Sequence, residues 1–229
     1  MTTTMPPARG PSGNALLNSF PAEVRQRLDI KEERHSSYDV LFKADELPQW
    51  AHFPHRGTVI SLTRTTEAGT TVEVGIVGFE GVAAVQSLLL PQPAGSEAVV
   101  QVPGDVSRVK LEMLRTVMNE DAPVRTGLLA FAGQFLDQVS QHATCNRVHS
   151  IEQRLAKWLL AVRDRIEKDE VELTHDFLAH MLGTRRAGVT VAVGALTLDG
   201  IVKQHRGGVR IMDREGLELR SCECYRALP

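Results

Sequence analysis

Hydrophobic periodicity changes along this chain from a repeat of two to a repeat of three or four, and that change bounds the fold. The stretches "YDVLFKADE", "WAHFPHRGTVISLTRTT", "TTVEVGIVG" and "SEAVVQVPGDVSRVKL" alternate Val, Ile, Thr and aromatic residues with polar ones, and Gly57, Gly69, Gly78, Gly81, Gly95 and Gly104 punctuate them. Short strands with a turn signal every 8–12 residues or so predict a β sandwich, roll or barrel. "TEAGTT" reads as a hairpin turn in which Gly69 supplies a positive φ. Near Pro123 the pattern turns helical: Val124, Leu128, Phe131, Phe135, then Gln138 or Val139, and His142 recur at steps of four and three. So narrow a stripe fits a coiled-coil seam between two copies. The competing reading is a helix lying on its own β domain.

Two further helical patterns flank this core. "NALLNSFPAEVRQRL" has helical spacing broken by Pro21, which predicts two short helical turns. "SIEQRLAKWLLAVRDRIEKDE" is amphipathic, with Ile151, Leu155, Trp158, Leu159 and Val162 inward and Glu152, Lys157, Arg163 and Asp164 toward water. Ser150 and Gln153 are spaced to form its capping box. The expected organisation is an α+β chain with a tail at 1–13, a β domain at 14–121, a long helix at 122–148 and a helical domain at 149–229.

Totals exclude several classes. No apolar run in the 229 residues approaches the roughly 20 a membrane helix needs, and "MTTTMPPARGPSGN" lacks a signal peptide's apolar core. A cytoplasmic protein with no membrane partner is expected. The three cysteines, Cys145, Cys222 and Cys224, make no disulfide framework. No Cys or His at finger-like spacing accompanies the Cys-x-Cys pair, so no metal site is expected and the thiols read as structural or incidental. The net charge of −2 is uneven: residues 174–214 carry six Lys and Arg against three Asp and Glu. Localised positive charge is what a polyanion partner requires.

"LTHDFLAHMLGTRRAGVTVAVGAL" lies in that basic region. Thr174 can cap a helix whose apolar side is Phe177, Leu178, Met181 and Leu182, and Gly183 suits its left-handed end. Thr184 can cap a second helix from Arg185 to about Asp199, with Val189, Val193 and Leu196 inward. Two short helices joined at a glycine are the helix-turn-helix pattern, whose second helix offers its first residues to the major groove of double-stranded DNA. Arg185 and Arg186 can each bond guanine in bidentate fashion; Gly188 and Thr190 fall beside the same edge. "GIVKQHRGGVRIMD" predicts a wing, with strands Ile201–Gln204 and Val209–Met212 around Gly207–Gly208. Lys203, His205 and Arg206 near its tip, with Thr174 and His175, are the candidate phosphate contacts.

The order β roll, seam helix, winged helix-turn-helix closely resembles the Crp/Fnr superfamily of bacterial transcription regulators. The resemblance runs from about Asn14 to Tyr225 and is strongest in "HFPHRGTVISL", "VEVGIVGFEGV", "CNRVHSIEQRLAKWLL", the helix-turn-helix stretch and "DREGLELRSCECY". It implies a cyclic-nucleotide-binding-like jelly roll as sensor and a homodimer paired along Val124, Leu128, Phe131, Phe135 and Val139. It further implies a near-palindromic DNA site and an encounter with RNA polymerase. No catalytic residue is expected, because reading DNA makes no bond.

The sensor departs from the resemblance. Relatives that bind cyclic nucleotides grip the phosphate with a Gly-Glu and then an Arg-Ser; here the matching segments are "GFEGV" and "GSEAVV", with Ser96 or Glu97 where the arginine should be. No Lys or Arg occurs from Thr65 to Ser107, and a buried phosphate needs charge-assisted donors. Gly78, Glu80, Gly81, Ser96 and Glu97, with Arg125 as the remaining cation, are the candidate effector residues. Cyclic AMP is not expected there, nor an iron–sulfur cluster, since no cysteine precedes Cys145. Haem is disfavoured too, having only His35, His52, His55 and His142 as nominal ligands. No cofactor is assigned. The rival readings are a cupin-like metal enzyme using His52 and His55, which strand spacing would face apart, and a ligand-gated module acting on a protein partner.

Overall fold

A computed structural model describes residues 13–226. The lead expected at 1–13 lies outside them but for Gly13. By contact the molecule divides into two units: residues up to Leu62 with Ile76–Leu136, and Thr63–Gly75 with Asp137 onward.

The first unit opens with α1 (Ala15–Asn18) and α2 (Ala22–Arg27), the two turns that Pro21 separates. Strands β1 (Lys31–His35), β2 (Val40–Phe42), β3 (Trp50–Pro54), β4 (Val59–Thr65) and β5 (Thr71–Val77) follow. After α3 (Val85–Leu89) come β6 (Glu97–Val102) and β7 (Gly104–Lys110). The strands form a β roll of two antiparallel-rich sheets, ordered β1-β7-β3 and β2-β6-β4-β5. Phe53, Ile60, Ile76, Val100 and Val106 fill the interior, and along β3 and β4 burial is continuous instead of alternating. Gly69 has φ +79°, as the turn chemistry predicted.

Two helices close the roll. The strand pattern gave no sign of α4 (Leu111–Glu120), a short amphipathic helix whose Leu111, Leu114 and Val117 are buried. The long α5 (Ala122–Val148) starts where the periodicity changes. Its stripe, however, does not serve as a free seam. Val124, Leu128 and Phe131 are buried within the chain itself, and a Cβ on Gly81 would fall 2.0 Å from the Phe131 ring. Only a glycine lets the ring approach so closely. For these three residues the competing reading, a helix packed on its own domain, is the correct one; Phe135 and Val139 are half-buried. What α5 leaves open is a neighbouring stripe, with Leu129 49% and Leu136 66% exposed and Gly133 between them.

The second unit centres on α6 (Ile151–Ile166), capped by the Ser150–Gln153 box read from sequence. β8 (Glu170–Glu172), α7 (His175–Met181), α8 (Arg186–Leu198), β9 (Val202–His205), β10 (Gly208–Ile211) and α9 (Arg214–Arg220) follow, then a 3-10 turn at Glu223–Tyr225. α6 contacts both α8 and α9 and is enclosed on nearly every side. That burial corrects one expectation: Lys157, assigned to water, is 5% exposed. The hairpin tip belongs to this unit, and its buried Glu73 accepts a 2.9 Å hydrogen bond from Trp158 Nε1.

Candidate nucleic-acid interface

The turn between α7 and α8 is built by backbone chemistry. Thr174 caps α7, its hydroxyl accepting from Phe177 N at 3.2 Å. At the other end Gly183 N donates to His180 O at 3.1 Å and Thr184 N to Ala179 O at 2.9 Å, with Gly183 at φ +55°. This pair of bonds around a left-handed glycine is a Schellman stop. Thr184 therefore ends the first helix instead of capping the second; the N-cap of α8 is Arg185, which makes no side-chain capping bond. Gly188 N turns back to Arg185 O at 2.9 Å, so among the described residues the N–H groups of Arg186 and Ala187 are the ones left without an acceptor, an electropositive end suited to phosphate or base oxygens.

Val189, Ala192, Val193 and Leu196 seat α8, leaving Arg185, Arg186, Thr190 and Val191 exposed. Arg186 Nη1 lies 3.3 Å from Asp176 Oδ2, an exposed pair that salt or a competing anion loosens. Arg185 has no acidic partner among the described residues. Thr190 Oγ1 meets His175 Nδ1 at 3.0 Å, and His175 Nε2 meets Gln204 Nε2 at 3.1 Å. One imidazole thus ties the start of α7, the exposed edge of α8 and the wing into one surface. Sequence reasoning named His175 as a phosphate contact and missed this positioning geometry.

Gly188 is not on that edge. It is half-buried, and a Cβ there would stand 2.9 Å from Ile151 Cδ1. Its small size serves the packing of α8 on α6, which corrects the expectation that it lets DNA approach.

The wing is shifted by one residue from the predicted strands. β9 and β10 pair with Gly208 opposite His205, so the turn is Arg206–Gly207, with Gly207 at φ +88°. Gly208 is a buried strand residue. A third strand, β8, pairs with β10 to give the order β8-β10-β9. Lys203 and Arg206 are exposed and have no acidic partner among the described residues. His205 and Arg210 both contact Glu170, and Arg210 holds that carboxyl below the usual range. His205 is therefore the one wing member of the predicted phosphate set whose side chain is engaged by a carboxylate.

In the first unit the candidate effector residues do not form an anion site. Glu80 folds back to accept from Gly78 N at 3.0 Å, and Phe131 fills the space over Gly81. Arg125 donates to Met118 O and Asn119 O at the end of α4. Ser96 and Glu97, at the start of β6, are half-buried. A concavity of about 250 Å³ elsewhere is lined by Leu41, Phe42, Glu46, Leu47, Trp50 and His52 among others and carries no Lys or Arg. Burial drives the His52 pKa down to about 3, so the ring is neutral; His55 Nε2 meets Ser107 Oγ at 2.7 Å.

Sequence spacing found no partners for the Cys-x-Cys pair, but folding supplies them. Cys145, His149, Cys222 and Cys224 bring their ligand atoms within 4.8 Å of one another, the only such His, Cys or carboxylate group among the described residues. The Cys145-x3-His149 spacing at a helix end, one turn apart on one face, was the available signal. Cys222 hydrogen-bonds Cys145 and thereby lowers the Cys145 thiol pKa, while its own is raised.

Residues 153–220 match the Crp-like helix-turn-helix domain. No curated protein matches the chain detectably. Among solved structures it is similar to FixK2 from Bradyrhizobium japonicum, with TM-score 0.73 and 17% identity over 85% of this chain and 98% of that one. A putative Crp/Fnr-family transcriptional regulator from Eubacterium rectale gives TM-score 0.70 at 16% identity, over 92% and 97% of the two chains. The c-di-GMP-responsive global regulator CLP of Xanthomonas campestris gives 0.68 at 13%, over 83% and 99%.

Proposed function

We propose, for a chain that has the fold of the Crp/Fnr regulators and carries a Crp-like helix-turn-helix domain, that it binds a near-palindromic DNA site as a homodimer and regulates transcription there. The observation that carries this reading is the uncapped start of α8. Arg185 and Arg186 stand exposed there beside open N–H groups, next to a wing whose Lys203 and Arg206 lack acidic partners among the described residues. Arg185 and Arg186 read base edges in the major groove, and the wing cations with the Thr174–His175 corner meet phosphates. Thr190, held by His175, is a positioned hydroxyl for a base or phosphate.

The dimer face differs from the stripe read in the sequence. Leu129 and Leu136, one heptad apart, are exposed, and nothing lies within 4 Å of the space a Gly133 side chain would fill. Two copies of α5 can approach closely along that face. The carboxylate-rich 78–97 region, with Phe131 over Gly81, disfavours cyclic AMP held in the usual manner; the effector is of another chemistry or dispensable. On this reading the protein works in the cytoplasm, with RNA polymerase as its downstream partner.

Selection of bound duplexes from a random DNA pool, repeated with candidate metabolites, tests the reading. Two half-sites about one helical turn apart are expected, with a dimeric mass in sedimentation. Indifference to duplex DNA at low ionic strength, or a persistent monomer, overturns it.

A further inference from the structure

The described residues hold one cluster that DNA reading does not use. Cys145 and His149 stand one turn apart at the C-terminal end of α5, and Cys222 and Cys224 follow α9. Cys145 Sγ and Cys222 Sγ are 3.5 Å apart, and so are Cys224 Sγ and His149 Nδ1. A tetrahedral zinc ion with its usual bond lengths sets sulfurs about 3.8 Å apart and sulfur and nitrogen about 3.5 Å apart. We propose that these four side chains form a closed Cys3His zinc site that fastens the C-terminal segment to the end of α5.

Three independent features support it. The first is orientation: His149 turns its other nitrogen, Nε2, to Glu223 Oε1 at 3.3 Å. A carboxylate on the far nitrogen is how a ligating imidazole is held in the correct tautomer and aimed at its metal. The second is preorganisation. Gln141 Nε2 donates to Cys224 Sγ at 2.8 Å. Just beyond the cysteines, Tyr225 Oη donates to Asp164 at 2.6 Å and accepts from Arg214 at 2.8 Å, fixing the segment on α6.

The third feature is charge. Arg154 and Lys157 are buried, have no carboxylate partner among the described residues, and lie close enough to act electrostatically on the thiols. Arg154 Nε also lacks a hydrogen-bond partner among those residues. Two enclosed cations call for an enclosed anion. Zinc with three thiolates and a neutral imidazole carries one net negative charge in the right place.

Four protein ligands leave no coordination position open, so the site is structural rather than catalytic. The ligand atoms enclose room for a single ion; an iron–sulfur cluster, with sulfide and further irons between its cysteines, needs them farther apart. Arg154 also donates to the carbonyl of Leu182, immediately before the Gly183 turn, so the site borders the framework that seats α8. An effect of zinc on DNA affinity rests on the DNA-binding reading; zinc binding itself does not.

The test is metal analysis of the full-length chain purified under reducing conditions, followed by chelation and titration with Zn2+ and with Co2+. One zinc per chain is expected, and the cobalt form should show the intense visible bands of a tetrahedral thiolate site. Cys222→Ser with Cys224→Ser should abolish both. Glu223→Gln, at a side chain 78% exposed whose loss cannot unfold the domain, should weaken zinc affinity at least about tenfold. No metal and freely titrating thiols, a Cys145–Cys222 disulfide in their place, iron with labile sulfide, or unchanged zinc affinity in Glu223→Gln would each overturn the proposal. Because metal content is read without DNA, such a failure leaves the DNA-binding reading standing. A zinc-loaded protein indifferent to DNA would sink only that other reading.

Discussion

Helices α6 and α8 both carry cations and lie in contact, yet they treat charge in opposite ways. On α8, Arg185 and Arg186 cluster at the first turn and face solvent, while the apolar side is narrow and small. On α6, Arg154, Lys157 and Arg165 are interspersed with Leu155, Trp158, Leu159 and Val162, and all are buried. An exposed arginine beside open N–H groups is available to an external polyanion at little desolvation cost. A buried one is committed to internal partners: Arg165 Nη1 to Ala161 O, and Arg154 to Leu182 O and the electrostatics of the thiols. The lesson is that a cation's role follows from what surrounds its helix. α6 is a hub whose charges organise the unit, and α8 is a reader seated on it.

The sharpest way to break this contrast is to remove apolar contacts from each helix. Leu159→Ala, at a fully buried position on α6, should cost about 2–5 kcal/mol in chemical unfolding. Val191→Ala, 73% exposed on α8, should stay within about 0.5 kcal/mol. Comparable losses from both would dissolve the distinction between hub and reader. Arg186→Ala should leave stability unchanged and reduce discrimination between specific and random duplex by about 1–3 kcal/mol in competition binding. Retained discrimination would remove Arg186 from base reading.

A test confined to acid pH comes from His142, buried on α5 and pressed by Lys157, Arg165 and Arg154. Burial first and these cations second hold its pKa down at about 3, against an ordinary value near 6.5. The folded state keeps the ring neutral while the unfolded chain protonates it. Its contribution is therefore intact above about pH 6.5 and is lost as pH falls from there toward 3, at up to about 1.4 kcal/mol per pH unit. His142→Gln should flatten the stability–pH curve by that slope; an unaltered curve would mean the ring is not buried against the α6 cations. The smallest change is expected from Lys203→Ala at the wing. It should weaken all duplexes alike and lower the salt slope of binding by about one unit. A change confined to one sequence would make Lys203 a reader too.

How much of this was legible in the sequence depends on the range of the interaction. The capping box at Ser150, the positive φ at Gly69 and Gly183, and the inward residues of α8 are decided within a few residues of chain. Sequence spacing gave them correctly. Thr184 shows where local reading runs out. Threonine before a helical run looks like a cap, but the Schellman bonds from the preceding helix use its N–H and pass the N-cap to Arg185. Helices α3, α4 and α9 and the strands β1 and β8 were missed because they are too short for periodicity to separate them from their neighbours, and β1 is almost wholly charged.

By itself, then, the sequence determined the alternation of β and helical segments, the glycine break between two short helices and the cationic tip that follows it. Each is a property of neighbouring residues and of backbone sterics. Tertiary structure alone decided that Phe131 packs over Gly81 instead of across a dimer seam, that Gly188 faces Ile151, and that Lys157 is dry. It also brought Cys145 and His149 to Cys222 and Cys224 across some seventy residues. The physical reason is common to all four. Burial depends on what a second segment places opposite a side chain, and periodicity along one segment carries no record of that second segment.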